Sequence, residues 1–528
     1  MSTLRWMKRT LVFLALVCVS CGLVVADDVR PNVLFIMCDD LNDWVLHPDD
    51  HPTVHVPNID RLREKSVNFT NAHVVVPVCG PSRKVLFSGL YPHTFGSYTF
   101  GSWNQSKILK NSVPIPLHFR NHGYGAYGTG KLLHEGKGGD FYDGYGIGVD
   151  YGPWPGKTGK NKVSWVHPDL WEKYGNVRHH DLLYASLDNA PDWSENTDAK
   201  LPRTQGWFYR NGKPFRYVNE EDRDPMPDEI SVEYAINILN QTHEKPFFLG
   251  VGLMRPHTPH VNPQKYFDLY PIESVTLPPV REGDLDDVAE ALKKRWIRSF
   301  EKFKTINRLG GWKAWIQAYL ASVSFVDDQV GALLDALENS AFAENTIIVF
   351  TSDHGYHLGE KQAMQKWHLW EESTRVPFFI YAPGFAGNGS EVDHPVTTVD
   401  LYPTLADLCG LPLDPNVDQS GLSLDGHTLR PFLENPKTKN WDGPSVAYMA
   451  VGKSMQDAKG WGIGPHQSVR SERFRYTLTA NGEEELYDHY MDPQEWTNVA
   501  SEPEYASAKA DLREQMMKIV GEHSSATK

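Results

Sequence analysis

The fold of this chain is decided by the stretch Asn32-Val33-Leu34-Phe35-Ile36-Met37, which follows Pro31 and leads to Asp39. An apolar run with so little polar alternation is typical of a strand buried on both faces, as the strands of parallel sheets are. Similar runs recur three times, at residues 246–253, 346–351 and 376–381. We interpret all four runs as buried strands.

A long amphipathic helix is predicted between the second and the third of these runs. From Tyr319 to Leu337, apolar side chains recur at three- and four-residue spacing, whereas Asp327 and Asp328 fall outside that face. Helices that alternate with buried strands indicate an α/β fold with a large, mostly parallel sheet flanked by helices. Ligands of such sheets bind beyond the carboxyl ends of the strands, so the residues that follow each strand are the first candidates for a site.

Two segments lack any helical or strand periodicity. Residues 137–225 are rich in Gly, Trp, Tyr and Asp, and we expect them to form long loops over the site. Residues 280–313 are interpreted as a second irregular connection.

The character of the chain changes again after about residue 430. Short runs around Ser468, Phe474 and Glu485 predict antiparallel strands, and residues from Tyr505 to Val520 predict a terminal helix. We therefore expect a main catalytic part at residues 27–430. A smaller C-terminal subdomain is expected at residues 431–528.

Composition limits the classes of protein that this chain can belong to. Its 528 residues are 40% hydrophobic and 23% charged, as is usual for a soluble globular protein. The net charge of −15 argues against general nucleic-acid binding. An anionic substrate would need a local cluster of basic residues on an acidic molecule.

The first 26 residues are interpreted as a secretory signal. Two basic residues precede an apolar run from Leu11 to Val19, and small residues up to Ala26 offer a cleavage site. The run is too short for a membrane span, so we expect secretion or a periplasmic location. Lipid attachment at Cys21 is the alternative, although Cys18 stands where such sites usually carry Leu.

The five cysteines do not predict a disulfide framework. Two of them lie in the signal segment, and the three that remain are too few and too scattered. Cys38 and Cys409 lie in apolar contexts and are expected to pack as small hydrophobic residues.

Two pairs of polar residues follow predicted strands and suggest a metal site. Asp39 and Asp40 follow the first strand, and Asp353 and His354 follow the strand that ends at Ser352. An oxygen-rich ligand set favours calcium or magnesium over zinc. Two alternatives stay open: the acids cap helices, or the chain is a zinc hydrolase that uses His354 with His357.

The sequence Cys79-Gly80-Pro81-Ser82-Arg83 places a nucleophile and a cation together. On a helix that starts near Pro81, Arg83 would lie beside Cys79, four residues earlier. Without modification, Cys79 would be an ordinary thiol nucleophile. The alternative is a surface arginine on an ordinary helix.

Three further segments offer catalytic side chains. Lys131 and His134 follow a glycine-rich turn and lie on one side of it, where they can bind an anion and accept a proton. His257 lies between two prolines at a strand end, which makes it a stiffly held acid or anion ligand, and His260 is a weaker candidate. Lys366 is ordinary by itself, since most lysines are solvated.

These motifs resemble the type I, formylglycine-dependent sulfatases of the alkaline-phosphatase superfamily. The similarity runs from about residue 30 to 498 and is strongest to the iduronate 2-sulfatase branch. Besides the motif at Cys79, the segments that carry it are Arg255–Pro259, Tyr319–Asp327, Thr351–Gly355 and Glu485–Asp488.

The resemblance implies an alkaline-phosphatase-like fold and a modified Cys79. In that family the cysteine becomes formylglycine, whose hydrate attacks the sulfur of a sulfate ester and later expels sulfate. The implied Ca²⁺ ligands are Asp39, Asp40, the modified Cys79, Asp353 and His354. The residues implied to surround the sulfate are Arg83, Lys131, His134, His257 and Lys366. A maturation enzyme that generates formylglycine is an implied partner.

The function that we expect is hydrolysis of a sulfate ester on a carbohydrate. The alternatives are a phosphate or phosphonate ester hydrolase of the same superfamily, and a binder of sulfated glycan that leaves Cys79 unconverted. Aromatic residues in and near the predicted loops either stack on sugar rings or form a small core of their own: Phe141, Tyr142, Tyr145, Trp154, Trp165 and Trp171. The sequence leaves the sugar and the oligomeric state open.

Overall fold

The central sheet of the computed structural model has eight strands. The structure describes residues 30–46, 54–134, 141–155, 184–189, 207–416, 421–452 and 465–524. The strands in chain order are β1 (Asn32–Asp39), β2 (Val67–Phe69), β3 (Gly125–Gly130), β4 (Gly144–Tyr145), β5 (Phe247–Pro256), β6 (Thr346–Ser352), β7 (Phe378–Tyr381) and β8 (Glu391–Val392). Their order across the sheet is β8-β2-β7-β6-β1-β5-β3-β4.

Strand β1 lies inside the sheet and explains why its sequence is apolar throughout. It pairs in parallel with β5 on one side and β6 on the other. Val33, Phe35 and Met37 enter one hydrophobic core, and the residues between them enter the core on the opposite face. Each buried side chain of this kind stabilises the fold by roughly 1.5–3 kcal/mol relative to its exposed form.

The predicted fold class is confirmed, with one strand running against the others. β7 pairs antiparallel with β6 and with β2, whereas β3, β4 and β8 pair in parallel with their neighbours. The sheet is therefore mixed but mostly parallel.

Helices cover both faces of the sheet. The longer ones are α1 (Pro57–Glu64), α2 (Cys79–Ser88), α3 (Ile115–Asn121), α4 (Pro227–Leu239), α5 (Glu290–Arg308), α6 (Trp312–Glu338), α7 (Leu401–Leu408) and α8 (Ala506–Ser524). Short helices span Pro92–Phe95, Gln264–Asp268, Glu371–Thr374 and Arg430–Glu434. Helices α2 and α7 contribute to one core and α6 to the other. The predicted helix at 319–337 lies within α6.

The prediction of an irregular connection at residues 280–313 is wrong. Most of it is the nineteen-residue helix α5, and α6 begins at Trp312. Five buried side chains recur along α5 at three- and four-residue spacing: Leu292, Trp296, Phe300, Phe303 and Ile306. This pattern was present in the sequence, but the many lysines and arginines between these residues obscured it.

The described parts of residues 137–225 contain short strands and connecting loops. Trp154–Pro155, Trp207–Phe208 and Pro214–Phe215 form a three-stranded sheet, and Tyr217–Asn219 pairs with Asp222–Arg223. Other short pairs join Tyr184–Ser186 to His260–Asn262, Ala72–His73 to Val396–Thr397, and His357–Leu358 to Met364–Gln365.

The aromatic residues of these loops pack mainly against the protein itself. Tyr142 is buried in one core, and Phe141 and Tyr145 pack against it. Trp154 packs against the other core. Of the two interpretations for these side chains, the structure favours packing. Trp165 and Trp171 lie outside the described residues.

The C-terminal strands form a separate antiparallel sheet. It consists of β9 (Ala447–Val451), β10 (His466–Arg470), β11 (Phe474–Leu478) and β12 (Glu484–Asp488), in that order. The last three strands and the terminal helix α8 were predicted, whereas β9 was not. The domain boundary at residue 430 stays a prediction.

Two sequence-based expectations concern the N-terminus and the cysteines. The predicted signal at residues 1–26 lies outside the described residues. Among helices in the described ranges, none combines the length and apolar composition needed to cross a membrane. Cys38 and Cys409 are buried within the two hydrophobic cores, as expected.

Candidate active site

The carboxyl ends of two neighbouring strands bring four polar side chains together. Asp39 and Asp40 lie at the end of β1, and Asp353 and His354 directly follow β6. His354 Nε2 lies 3.2 Å from Asp40 Oδ1 and 3.6 Å from Asp353 Oδ1. The backbone N–H of Asp40 donates to Asp353 Oδ1 at 3.2 Å. The predicted convergence of the two pairs is therefore observed.

Asp40 is held in an unusual backbone conformation. Its φ of 67° lies in the left-handed region, which non-glycine residues rarely adopt. The hydroxyl of Tyr319 on α6 donates to the Asp40 carbonyl at 2.7 Å and so supports this turn. A strained backbone conformation persists only where surrounding contacts hold it in place. Such residues are common at functional sites.

Cys79 begins helix α2 and faces the same cluster. Its Sγ lies 3.3 Å from His354 Nε2, and Lys366 Nζ donates to it at 3.0 Å. The side chain is almost fully buried, and this burial raises the pKa of the thiol above its ordinary value. As an unmodified cysteine it would therefore be mostly protonated and a weak nucleophile at neutral pH.

Arg83 and Lys131 neutralise the deepest carboxylates. Arg83 Nε donates to Asp353 Oδ2 at 2.8 Å, and Lys131 Nζ forms an ion pair with Asp39 Oδ2. Burial acts to raise the pKa of the Asp39 carboxyl, but the positive charges of Lys131 and Arg83 hold it well below its ordinary value. Asp39 is therefore ionised in the folded protein.

Lys131 reaches Asp39 because two glycines allow close contact between backbones. Gly130 ends β3 with a φ of +71°, and a Cβ there would lie 1.9 Å from the carbonyl oxygen of Gly252 on β5. The N–H of Lys131 donates to that same oxygen at 2.8 Å. A Cβ on Gly252 would in turn lie 2.3 Å from the Lys131 backbone. Bulkier residues would thus displace the lysine.

Lys366 forms the outer wall of the cluster. Its Nζ donates to Asp40 Oδ1 at 2.6 Å. Burial opposes the ammonium form, but the negative charge of Asp40 outweighs it and raises the pKa of Lys366 well above its ordinary value. Burial raises the pKa of Asp40 to about 7, even though Lys366 and His354 act to lower it. Lys366 is therefore a protonated group beside the sulfur of Cys79.

Two neutral histidines complete the ring of predicted residues. His257 Nδ1 lies 2.6 Å from the carbonyl of Thr258, so Nδ1 carries the proton and Nε2 is left as the free nitrogen. That Nε2 lies 3.9 Å from Asp40 Oδ2. Burial, reinforced by Lys366, holds the pKa of His257 well below its ordinary value. For His134, burial and Lys131 lower the pKa to about 3.

The cluster fits a hard divalent cation. One ligand atom each of Asp39, Cys79, Asp353 and His354 lies within 4.8 Å of the others. Asp39 Oδ1 is buried and accepts no hydrogen bond. His354 Nδ1 lies 2.9 Å from the Gly355 carbonyl, so Nδ1 carries the proton. The lone pair of Nε2 therefore faces the cluster. An excess of carboxylate oxygens favours calcium or magnesium.

The alternative zinc site with His357 is not formed. His357 Nδ1 contacts the Ser373 hydroxyl at 2.9 Å, and its Nε2 lies 3.3 Å from Glu372. It belongs to a separate buried cluster. His260, the weaker candidate, is buried against the rings of Trp315 and Tyr319.

An open cavity of about 420 Å³ lies above the cluster. Asp40, His257 and Lys366 line it on the side of the strand ends. Helix α5 lines it on the other side, and Trp367 also faces it. A ligand that fills this cavity would therefore touch both the strand-end cluster and α5.

Comparison with known proteins identifies the family. A family model described as Sulfatase matches residues 31–411. A second model, described as the C-terminal part of N-sulphoglucosamine sulphohydrolase, matches residues 359–522. The chain belongs to the sulfatase family. The resemblance that the motifs predicted is thus confirmed.

Characterised relatives of this sulfatase cover most of its length. A sulfatase from Formosa agariphila is 34% identical over 90% of this chain and 84% of its own length. Iduronate 2-sulfatase from Mus musculus is 29% identical over 91% of this chain and 93% of its own length.

Solved structures confirm the alkaline-phosphatase-like fold. One is a protein in complex with its substrate D-glucosamine-2-N,6-O-disulfate, with a TM-score of 0.64 and 22% identity over 94% of this chain and 98% of that one. A phosphonate monoester hydrolase of Agrobacterium radiobacter gives a TM-score of 0.66 at 21% identity, over 94% of this chain and 96% of that one. At such identities the likeness concerns the fold alone.

Some residues around the site of this sulfatase were not predicted. The Tyr151 ring packs at a tilt against the His257 ring, with the ring centres 4.6 Å apart, and Lys131 Nζ lies 5.0 Å from the centre of the Tyr151 ring. It lies in a loop without periodicity, so nothing in the sequence singled it out. Trp367 directly follows Lys366, and this adjacency was a usable signal. The cavity-lining residues of α5 were also missed, because the segment that contains them was interpreted as an irregular connection.

Proposed function

We propose that this chain hydrolyses sulfate monoesters of a carbohydrate, with Cys79 converted to formylglycine and with a calcium ion at the strand ends. One observation carries the proposal. The side chain of Cys79 lies within hydrogen-bond distance of both Lys366 Nζ and His354 Nε2, and it shares a candidate metal site with Asp39 and Asp353.

Formylglycine would supply, as its hydrate, a hydroxyl nucleophile and a second hydroxyl through which the sulfated intermediate collapses. The chain's own contribution is to hold residue 79 at the start of α2, where Arg83 lies on the next turn of the same helix. The raised pKa of the buried thiol supports the need for modification, because unmodified Cys79 would be a poor nucleophile at neutral pH.

A calcium ion would supply fixed positive charge toward the oxygens of the sulfate group. Asp39, Asp40, Asp353 and His354 would hold it. Asp39 and Asp353 already form ion pairs with Lys131 and Arg83, so these two carboxylates are fixed in place. Asp39 Oδ1 is buried and accepts no hydrogen bond, which supports a cation at this point.

Proton transfer can be divided among three side chains. Lys366 is protonated and 3.0 Å from the position of the nucleophile, so it can stabilise the sulfate or assist the leaving oxygen. His257 presents an unprotonated Nε2 and is better suited to accept a hydrogen bond or a proton than to give one. His134 is also neutral and is the base that we assign to the remaining hydroxyl.

The carbohydrate assignment rests on what related proteins act on. One structural neighbour was solved with its substrate D-glucosamine-2-N,6-O-disulfate, and one relative is an ulvan-active sulfatase from Formosa agariphila. The partly exposed ring of Trp367 in the cavity wall offers a face on which a sugar can stack. We also propose secretion or periplasmic export through residues 1–26, which would bring the enzyme to such substrates.

The decisive experiment is mass spectrometry of the peptide that contains Cys79, after co-expression with a formylglycine-generating enzyme. We expect the aldehyde, and we expect Cys79→Ser to take up one sulfate per chain and then stall. Steady multiple turnovers by Cys79→Ser would contradict the formylglycine step. An intact thiol in an inactive chain that still binds sulfated glycan would instead support the binding protein.

Parallel assays separate sulfate hydrolysis from the related phosphate and phosphonate reactions. We expect an aryl sulfate to be hydrolysed with a higher kcat/KM than the matched aryl phosphate and phenyl phosphonate esters. A preference for either phosphorus ester would overturn the proposed function in favour of the corresponding hydrolase.

A further inference from the structure

Helix α5 is a strongly basic element on an acidic protein. Its nineteen residues include seven lysines or arginines and two glutamates, whereas the whole chain has a net charge of −15. A local concentration of charge opposite in sign to the whole molecule attracts and orients a ligand of the other sign. The charge of α5 is therefore a feature that needs an explanation.

Part of this charge faces the active-site cavity. Arg295, Arg298 and Lys302 line it, and they are spaced three and four residues apart on one side of the helix. The buried apolar residues of α5 lie on the adjacent side of the helix and anchor it to the protein. The orientation of the three basic side chains is thus fixed by the packing of the helix.

The cavity continues from these residues to the proposed reaction centre. Asp40, His257 and Lys366 line the same space of about 420 Å³. The Arg295 guanidinium lies 5.4 Å from the ring centre of Trp367, and Lys302 Nζ donates to Gln365, which precedes Lys366. Both Gln365 and Trp367 have φ angles in the left-handed region, 71° and 86°. The segment that carries Lys366 is therefore held against α5.

The geometry points to a second anion subsite on α5. We propose that Arg295, Arg298 and Lys302 bind a second anionic group of the substrate while its scissile sulfate lies at Cys79. This inference rests on the proposed function and narrows it to sulfated carbohydrates with at least two negative groups. The second group is a sulfate or a carboxylate, since guanidinium binds both through paired N–H groups.

Arg298 is the residue on which to test the subsite. It is exposed and contributes no buried contact to the fold, unlike the partly buried Arg295. Arg308 is an exposed arginine on the same helix that does not line the cavity, so it provides a matched control for charge and for helix stability.

The experiment measures binding by calorimetry in a Cys79→Ala background, which prevents turnover. The probes are glucosamine 2-N,6-O-disulfate and N-acetylglucosamine 6-O-sulfate, with glucuronic acid 2-sulfate and its methyl ester as the carboxylate pair. We expect the doubly anionic member of at least one pair to bind about tenfold more tightly. Arg298→Gln should reduce that ratio by about fivefold, and Arg308→Gln should leave it unchanged.

The pair that shows the preference identifies the second group as a sulfate or a carboxylate. The subsite is wrong if neither doubly anionic probe binds more tightly than its partner, or if none of the four probes binds. It is also wrong if Arg298→Gln and Arg308→Gln change the ratio equally. Because binding is measured without turnover, failure of the proposed reaction appears separately, as wild-type protein that does not hydrolyse an aryl sulfate.

Discussion

At the scale of single residues, the site consists of buried charged groups that are paired with neighbouring groups of opposite charge. Asp39 and Asp353 are fully buried, which by itself disfavours their ionised forms. Lys131 and Arg83 are buried with them, so each carboxylate has a cation within contact distance. Removing one member of such a pair leaves an uncompensated charge, which typically costs about 3–5 kcal/mol. The position of each cation is therefore critical.

The position of Lys131 depends on Gly130, and this dependence can be tested. Gly130→Ala adds a Cβ that would overlap the Gly252 carbonyl oxygen at 1.9 Å and forces alanine into a φ of +71°. We expect a loss of about 3 kcal/mol or more in the free energy of unfolding, together with loss of activity as Lys131 moves. Urea unfolding and an aryl sulfate assay measure the two effects.

Gly384 provides the matched control for this substitution. Its φ is +80°, and a Cβ there would meet no atom within 4 Å. Gly384→Ala should therefore cost only about 1 kcal/mol, from backbone strain alone. Equal destabilisation by the two substitutions would show that the close approach of β3 and β5 does not matter.

At the scale of elements, the C-terminal sheet supports the segment that carries Lys366. Arg475 on β11 donates to the Leu369 carbonyl at 2.8 Å and pairs with Glu495 at 2.5 Å. Glu371 accepts from the same guanidinium, and its N–H donates to Glu495 at 3.0 Å. The loop from Lys366 to Glu371 is thus tied to β11 through a buried network of ion pairs and of hydrogen bonds to backbone groups.

This network predicts how stability depends on pH. Burial acts to raise the pKa of Glu495, but Arg475 and His489 lower it to about 2, below its ordinary value of 4.5. Since the folded pKa is depressed, the stabilisation is fully present above pH 4.5. It is lost as the pH falls toward 2. Its size is on the order of 3 kcal/mol.

Glu495→Gln tests this dependence. We expect the variant to unfold at lower urea concentration than wild type at pH 7, and the difference to narrow as the pH falls from 4.5 to 3. Glu434→Gln removes a carboxylate from an exposed ion pair with Arg430 and should change stability by less than about 0.5 kcal/mol. If the difference in stability between Glu495→Gln and wild type does not depend on pH, the depressed pKa of Glu495 is contradicted.

At the scale of the whole molecule, the candidate metal site joins parts of the chain that are far apart in sequence. The candidate ligands come from the end of β1, the start of α2 and the end of β6. An unfolded chain does not hold these groups together, so a cation that binds them stabilises only the folded state.

We therefore expect calcium to raise the unfolding temperature and chelation to lower it. At a calcium concentration about 100 times the Kd, the stabilisation is about 2.7 kcal/mol. Differential scanning calorimetry of Asp353→Asn should show no rise on addition of calcium. Asp335→Asn, at an exposed position on α6, should respond as wild type does. If calcium does not stabilise the wild-type protein, the proposed calcium site is wrong. Parallel scans with magnesium identify the preferred ion.

The sequence by itself determined the features that depend on neighbouring residues. The apolar run at Asn32–Met37 can be buried only as an inner strand, and acids after such a strand must lie at the ligand-binding edge of the sheet. The motif at Cys79, together with the other segments that resemble sulfatases, indicated the family. The helix α5 was encoded locally as well, through its apolar spacing, although its basic residues concealed it.

Only the tertiary structure decided which distant side chains meet. The 3.0 Å contact between Lys366 and Cys79 depends on how the chain after β6 folds back over α2. The same is true of α5, which forms a wall of the cavity, and of Tyr151, which packs against His257. Such contacts result from the packing of whole elements around two cores, and the packing of side chains from distant segments leaves no periodic pattern in the local sequence.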